Sequence, residues 1–165
     1  MKQRQEIFFS QLQSHRDYLL HTVKDVTQEE ADIIPNGFSN SIRWNLGHVY
    51  TEQYMWLESL TKERAGIPEA FGQWFGWGSS PKIFTEETPS FEQLKQLLKG
   101  QISSIKDQYE GRLEEEFEPT EIRKLTTIEQ VLLWTSFHEG MHLQGISDLK
   151  RIIRIIEQQE SKFRF

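Results

Sequence analysis

Three histidines and the carboxylates near them are the residues of this chain best suited to do chemistry at neutral pH. His138 and His142 are four residues apart in a stretch with strong helical periodicity. At that spacing two imidazoles lie one turn apart on one helix face and can point at the same atom. They also fall within the apolar seam of that stretch: Ile128, Val131, Thr135, His138, His142, Gly145, Leu149, Ile152 and Ile156 alternate steps of three and four. Paired core histidines hydrogen-bonded to neighbours are the plain reading. Two of them on a buried seam favour a metal. A third ligand must then come from elsewhere. His48 leads, on a stripe with Trp44, Thr51 and Met55; His15 competes from the edge of another apolar stripe, and His21 points to solvent.

The segment His138-Glu139-Gly140-Met141-His142 is a literal H-E-x-x-H, the signature of zinc proteases in which the Glu is the general base. The protease reading is disfavoured, because no strand alternation is visible. The downstream Glu157 and Glu160 lie on or just past the same helix, with no reversal to return them to the site. Glu139 is rotated about 100° from His138. It is a weak candidate for accepting a proton, an exposed or interfacial carboxylate being the alternative. Glu52, one turn after His48, and Gln144 are weak candidates for contacts behind the ligands. Trp74, Phe75 and Trp77 are read as a plug closing one end of the fold, with a substrate-pocket wall as the alternative.

Four helical segments must position these groups. The first spans about Lys2 to Lys24, with Phe8, Leu12, Leu19 and Val23 as its stripe. Thr27 and Glu30 have capping-box spacing for an extra turn before Pro35-Asn36-Gly37. The second segment starts at Asn40 or Ser41 and runs to about Lys62. A long Gly- and Pro-containing connection, Gly66 to Pro89, carries the tryptophans. Ser90 and Gln93 cap the third segment, which fades before Glu114-Glu115-Glu116. Thr126 and Glu129 are expected to cap the last, which runs to about Gln158. Four helices with one long link predict an all-α four-helix bundle, one domain over 1–165, with a long loop between helices 2 and 3.

The 165 residues carry 19 Lys+Arg against 25 Asp+Glu, a net charge of -6, and no cysteine. An acidic balance argues against a nucleic-acid partner, which needs a basic face. The absence of cysteine removes thiolate ligands and thiol nucleophiles, so any metal is held by nitrogen and oxygen. No apolar run reaches the roughly 18 residues of a membrane span. The start, Met1-Lys2-Gln3-Arg4-Gln5-Glu6, lacks the apolar stretch of a signal peptide, and a cytoplasmic location is expected.

Two segments carry a family resemblance. Asn40-Ser41-Ile42-Arg43-Trp44-Asn45-Leu46-Gly47-His48-Val49 resembles the second-helix segment of the DinB/YfiT-like superfamily, where an S-I-x-W-x-x-x-H pattern delivers the first metal histidine. Phe137-His138-Glu139-Gly140-Met141-His142-Leu143-Gln144-Gly145-Ile146 is similar to the last-helix segment that delivers two more. One departure is visible: many members read H-x-G-Q, and here the small residue moves by one position to Gly145. The resemblance implies an up-down-down-up bundle, a divalent metal on His48, His138 and His142, and frequently a homodimer. It also implies a thiol S-transferase acting on a small-molecule thiol and an electrophile, or a metal-dependent hydrolase. A non-enzymatic small-molecule binder is the alternative from another class. Nitrogen ligands suit nickel or zinc first, and iron, cobalt or manganese also fit.

Overall fold

The computed structural model describes residues 2–162, and the side chains of Lys2 and residues 160–162, Glu160 among them, lie outside what it describes. Six α-helices and one 3-10 turn account for the secondary structure of the described residues: α1 (Lys2–Thr22), α2 (Gln28–Asp32), α3 (Ile42–Thr61), α4 (Glu69–Phe75), the 3-10 turn (Pro81–Ile83), α5 (Phe91–Tyr109) and α6 (Ile128–Lys162). There is no strand among them, only an isolated bridge between Glu116 and Thr127. None of these helices is long and apolar enough to cross a membrane.

Local chemistry sets the helix starts. Thr27 and Glu30 form the expected capping box of α2, and Ser90 and Gln93 that of α5. Ser41 caps α3 by accepting from Trp44 N–H. At α6 the cap falls one residue later than expected. Gln130 N–H donates to Thr127 Oγ1, and the Gln130 side chain accepts from Thr126 N–H. Glu129 is instead occupied by Arg4, at 2.6 Å. The connection expected as loop contains α4, whose Phe71 and Phe75 pack in the core.

The buried stripe of α1 is Phe9, Leu12, Arg16 and Leu19, continued by Val23 just past its end, with Phe8 only half-buried beside it. On α6 the seam drifts. Ile153 is 1% exposed whereas Ile156 is 38% exposed. Alternating steps of three and four have a period of 3.5, and a helix at 3.6 residues per turn slips about 20° per heptad from it. Over four heptads that slip carries Ile156 out of the core and brings in Ile153, and Leu132, Glu139 and Ile146 are buried beside the expected seam.

Cross-helix bonds fix which ends meet. α1 packs on α5 and α6, and α3 packs on α2, α4, α5 and α6. Arg4 meets Glu129, Arg16 meets Glu139, and Lys150 Nζ donates to Thr22 O at 2.8 Å, so numbers rise together along α1 and α6. Against α6 the numbers of α3 fall, with Asn45 on His142 and Gln53 on Thr135. Along α3 and α5 they rise together: Arg43 donates to Pro89 O, Gln101 to Tyr50 O, and Arg112 to Glu63.

At the centre sits Arg16, 0% exposed. Its Nε and Nη2 donate to both Glu139 carboxylate oxygens, at 2.8 and 3.1 Å. Nη1 donates to Leu98 O and Gln101 Oε1, and Nη2 also reaches Gln53 Oε1 at 3.3 Å. One guanidinium thus bonds to α3, α5 and α6 from its place on α1. A buried charge survives only when paired and hydrogen-bonded in this way.

Candidate metal centre

His48, His138 and His142 come together, with one ligand atom of each within 4.8 Å of the others. α3 supplies His48, which is 3% exposed, and α6 supplies the other two, which are half-buried. Ring centroids lie 4.5 to 5.2 Å apart in the three pairings.

Two of the rings are oriented from behind. His48 Nδ1 lies 2.6 Å from the carbonyl of Phe75, which can only accept, so Nδ1 carries the hydrogen and Nε2 keeps its lone pair. His142 Nδ1 lies 2.7 Å from Asn45 Oδ1. The Asn45 amide is itself fixed, because its Nδ2 donates to Ser41 O at 2.8 Å. His142 Nε2 is therefore also free for a ligand, and it faces His138 Nε2 at 3.1 Å. Two nitrogens held at ~2.0–2.1 Å on one tetrahedral zinc are roughly 3.3 Å apart, so the spacing matches a shared ion.

The pocket keeps these rings neutral. Burial lowers the pKa of His48, opposed by the Phe75 carbonyl. Burial and then the neighbouring His48 lower that of His138. His142 is lowered to about 3 by burial first and then by the other two rings. Neutral imidazole is the ligand form, and its second nitrogen bound to a carbonyl is the usual supporting contact. The donor set fits a divalent metal ion.

The local sequence explains how Phe75 reaches His48. A Cβ on Gly47 would lie 2.2 Å from Phe75 Cδ1, so only glycine lets that ring press against α3. Trp44 stacks on His48 at 4.5 Å with 14° between planes, and its Nε1 donates to Ser79 Oγ. Gly145 faces Asn45 Oδ1, and a Cβ there would meet it at an ordinary 4.0 Å. A side chain at position 145 would therefore not crowd the His142 support.

The other candidate residues separate. Glu139 is 4% exposed and bound to Arg16, so it is neither an exposed nor an interfacial carboxylate. Glu52 is half-buried near His138, and burial raises its pKa, opposed first by that histidine. Gln144 is exposed and donates to Asp148. His15 lies outside the cluster, 2.8 Å from Ser136 Oγ, and His21 is exposed as expected. Trp77 corrects the plug reading. It is 92% exposed, and Phe71 and Phe75 do the sealing, with Trp74 half-buried against both. A cleft of about 620 Å³ beside Met55, Arg64 and Glu69 touches none of the three histidines.

Asn45, the Phe75 carbonyl and Arg16 carry roles that sequence reading did not assign. Arg16 had a signal, a charge sitting between Leu12 and Leu19 on an apolar stripe. Asn45 had a weaker one, one turn before His48. The carbonyl had none.

An all-helical protein with three converging neutral imidazoles belongs to the class of helical proteins able to hold a divalent metal. A model of the DinB superfamily matches residues 11–146, and the chain belongs to that superfamily. A comparison with curated proteins finds no match.

Proposed function

We propose that this chain is a metal-dependent enzyme whose ligands are His48, His138 and His142, with thiol S-transfer its first activity and hydrolysis its second. The observation that carries the reading is the convergence of three neutral rings, two of them anchored through Nδ1 by Phe75 O and Asn45 Oδ1. Three uncharged ligands leave coordination positions open, and a divalent ion there turns a thiol or a water into a nucleophile near pH 7. Nickel and zinc suit these nitrogens best.

The chain's own residues do the rest. Asn45 and the Phe75 carbonyl hold two rings in place before any ion arrives, and Trp44 shields one face of His48. Glu52 stands near His138, where its half-buried carboxylate can take or return a proton. The H-E-x-x-H protease reading loses its general base, because Glu139 is committed to Arg16.

Around this site we read one domain with α1, α3, α5 and α6 as an up-down-down-up bundle. The numerical order of the cross-helix bonds supports that arrangement. Exposed Tyr18 on α1 with Leu133, Phe137 and Met141 on α6 supports a homodimer through that face. A cytoplasmic setting goes with use of a small-molecule thiol.

Metal analysis of the purified protein beside His48→Ala, His138→Ala and His142→Ala tests the centre. Each variant is expected to lose metal, and equal metal in all four proteins overturns the assignment. A panel of low-molecular-weight thiols with chlorodinitrobenzene then tests transfer. Turnover that needs both thiol and metal is expected, and its absence with every thiol rejects the transferase in favour of hydrolysis or simple binding.

A further inference from the structure

The turn leading into α6 places a cation beside the histidines. Arg123 and Lys124 both have left-handed backbone, with φ of 68° and 53°. Long side chains adopt that region rarely, and consecutive examples mark a turn held in shape by its surroundings. The Arg123 guanidinium carbon lies 3.3 Å from the centre of the Trp134 ring. Trp134 is one turn before His138, and the two rings stack at 6.1 Å with 27° between planes.

Arg123 has no acidic partner among the described residues. Among the other described arginines, Arg4, Arg16, Arg43, Arg112, Arg151 and Arg154 each bond to a carboxylate, and Arg64 alone shares the lack of one. Trp134 Nε1–H is buried without an acceptor. This corner therefore presents an exposed positive charge over an indole with a buried, unpartnered N–H, on a chain whose net charge is -6. A planar guanidinium resting on an aromatic face and lacking a carboxylate is suited to a two-oxygen anion.

We propose that Arg123 is a specificity-determining residue that binds an anionic group, a carboxylate or sulfonate, of the small molecule that reaches the three histidines. The proposal rests on the reading of those histidines as the reaction centre. It deepens that reading by giving the substrate a negative charge on the Arg123 side of His138.

Benzoate, benzenesulfonate and uncharged benzamide are the probes, titrated into metal-free and nickel-loaded protein with tryptophan fluorescence as the signal and calorimetry as the check. Both anions are expected to bind about tenfold tighter than benzamide, the scale of one charge-assisted hydrogen bond. Arg123→Gln should abolish that preference in both forms and leave nickel affinity within a factor of about two. Lys124→Gln should keep the preference. Equal binding of benzamide, no anion binding by the parent, a preference surviving in Arg123→Gln, or its loss in Lys124→Gln each overturns the assignment. Failure of the metal reading shows separately, as nickel binding that is insensitive to His48→Ala.

Discussion

Replacing Glu139 by Gln should expose what the Arg16 ion pair contributes. Arg16 is fully enclosed, and its remaining acceptors, Leu98 O, Gln101 Oε1 and Gln53 Oε1, are all neutral. Without the carboxylate the guanidinium stays buried as an uncompensated charge, a loss of about 3–5 kcal/mol. Against a total stability of roughly 5–15 kcal/mol that is a large fraction. At about 2–4 °C per kcal/mol for a chain of this size, the melting temperature should fall by roughly 6–20 °C. Arg16→Met should cost a similar amount, because it strands the Glu139 carboxylate. The double variant Arg16→Met with Glu139→Leu removes both charges and fills the space, so most of the loss should return. Urea denaturation of the parent, Arg16→Met, Glu139→Leu and the double variant closes the double-mutant cycle, with Glu139→Gln measured beside them. A Glu139→Gln penalty under about 1 kcal/mol, or a double variant losing the full sum of the singles, refutes the reasoning.

Gly47→Ala should destabilise by about 1–3 kcal/mol, because its Cβ would strike Phe75 Cδ1 and push the Phe75 carbonyl from His48; an unchanged melting curve would show that α4 yields freely. Asn45→Ala removes the acceptor behind His142 and should weaken metal affinity about 10- to 100-fold, read by competition with a chelator; unaltered affinity would mean that His142 needs no such support. Metal-free protein should lose stability as the pH falls below about 6.5, since the unfolded chain protonates His142 there while the folded state keeps it neutral down to about 3. The slope from this residue is at most about 1.4 kcal/mol per pH unit, and a urea midpoint equal at pH 7.5 and 5.0 would contradict it.

The helices were legible where periodicity and capping agree: Ser41, Thr27 with Glu30, and Ser90 with Gln93 all cap as their spacing indicates. His48, His138 and His142 were legible as a set because two share one seam and family motifs supplied the third. The buried face of the last turns of α6 was misplaced because a 3.5-residue pattern was extended along a 3.6-residue helix. α4 was hidden inside a segment whose glycines and prolines read as loop. Glu139 was misplaced for a different reason. Its charge suggested exposure, and the countercharge that buries it lies 123 residues away on α1. Long-range pairing of this kind leaves no local trace except an arginine on an apolar stripe.

The contact between Phe75 and His48 assigns two duties to one residue through different atoms. The ring fills the space left by Gly47, and the main-chain oxygen holds the imidazole. Any side chain at position 75 would still offer that oxygen. Substitution scanning there reports on packing alone and is blind to the ligand support, unless the new residue moves the backbone. The segment between α3 and α5 is thus free to change its composition widely while preserving the histidine's orientation, provided some carbonyl arrives at the same point. Tracing such a support across divergent sequences requires following the path of the backbone instead of the identity of the residue.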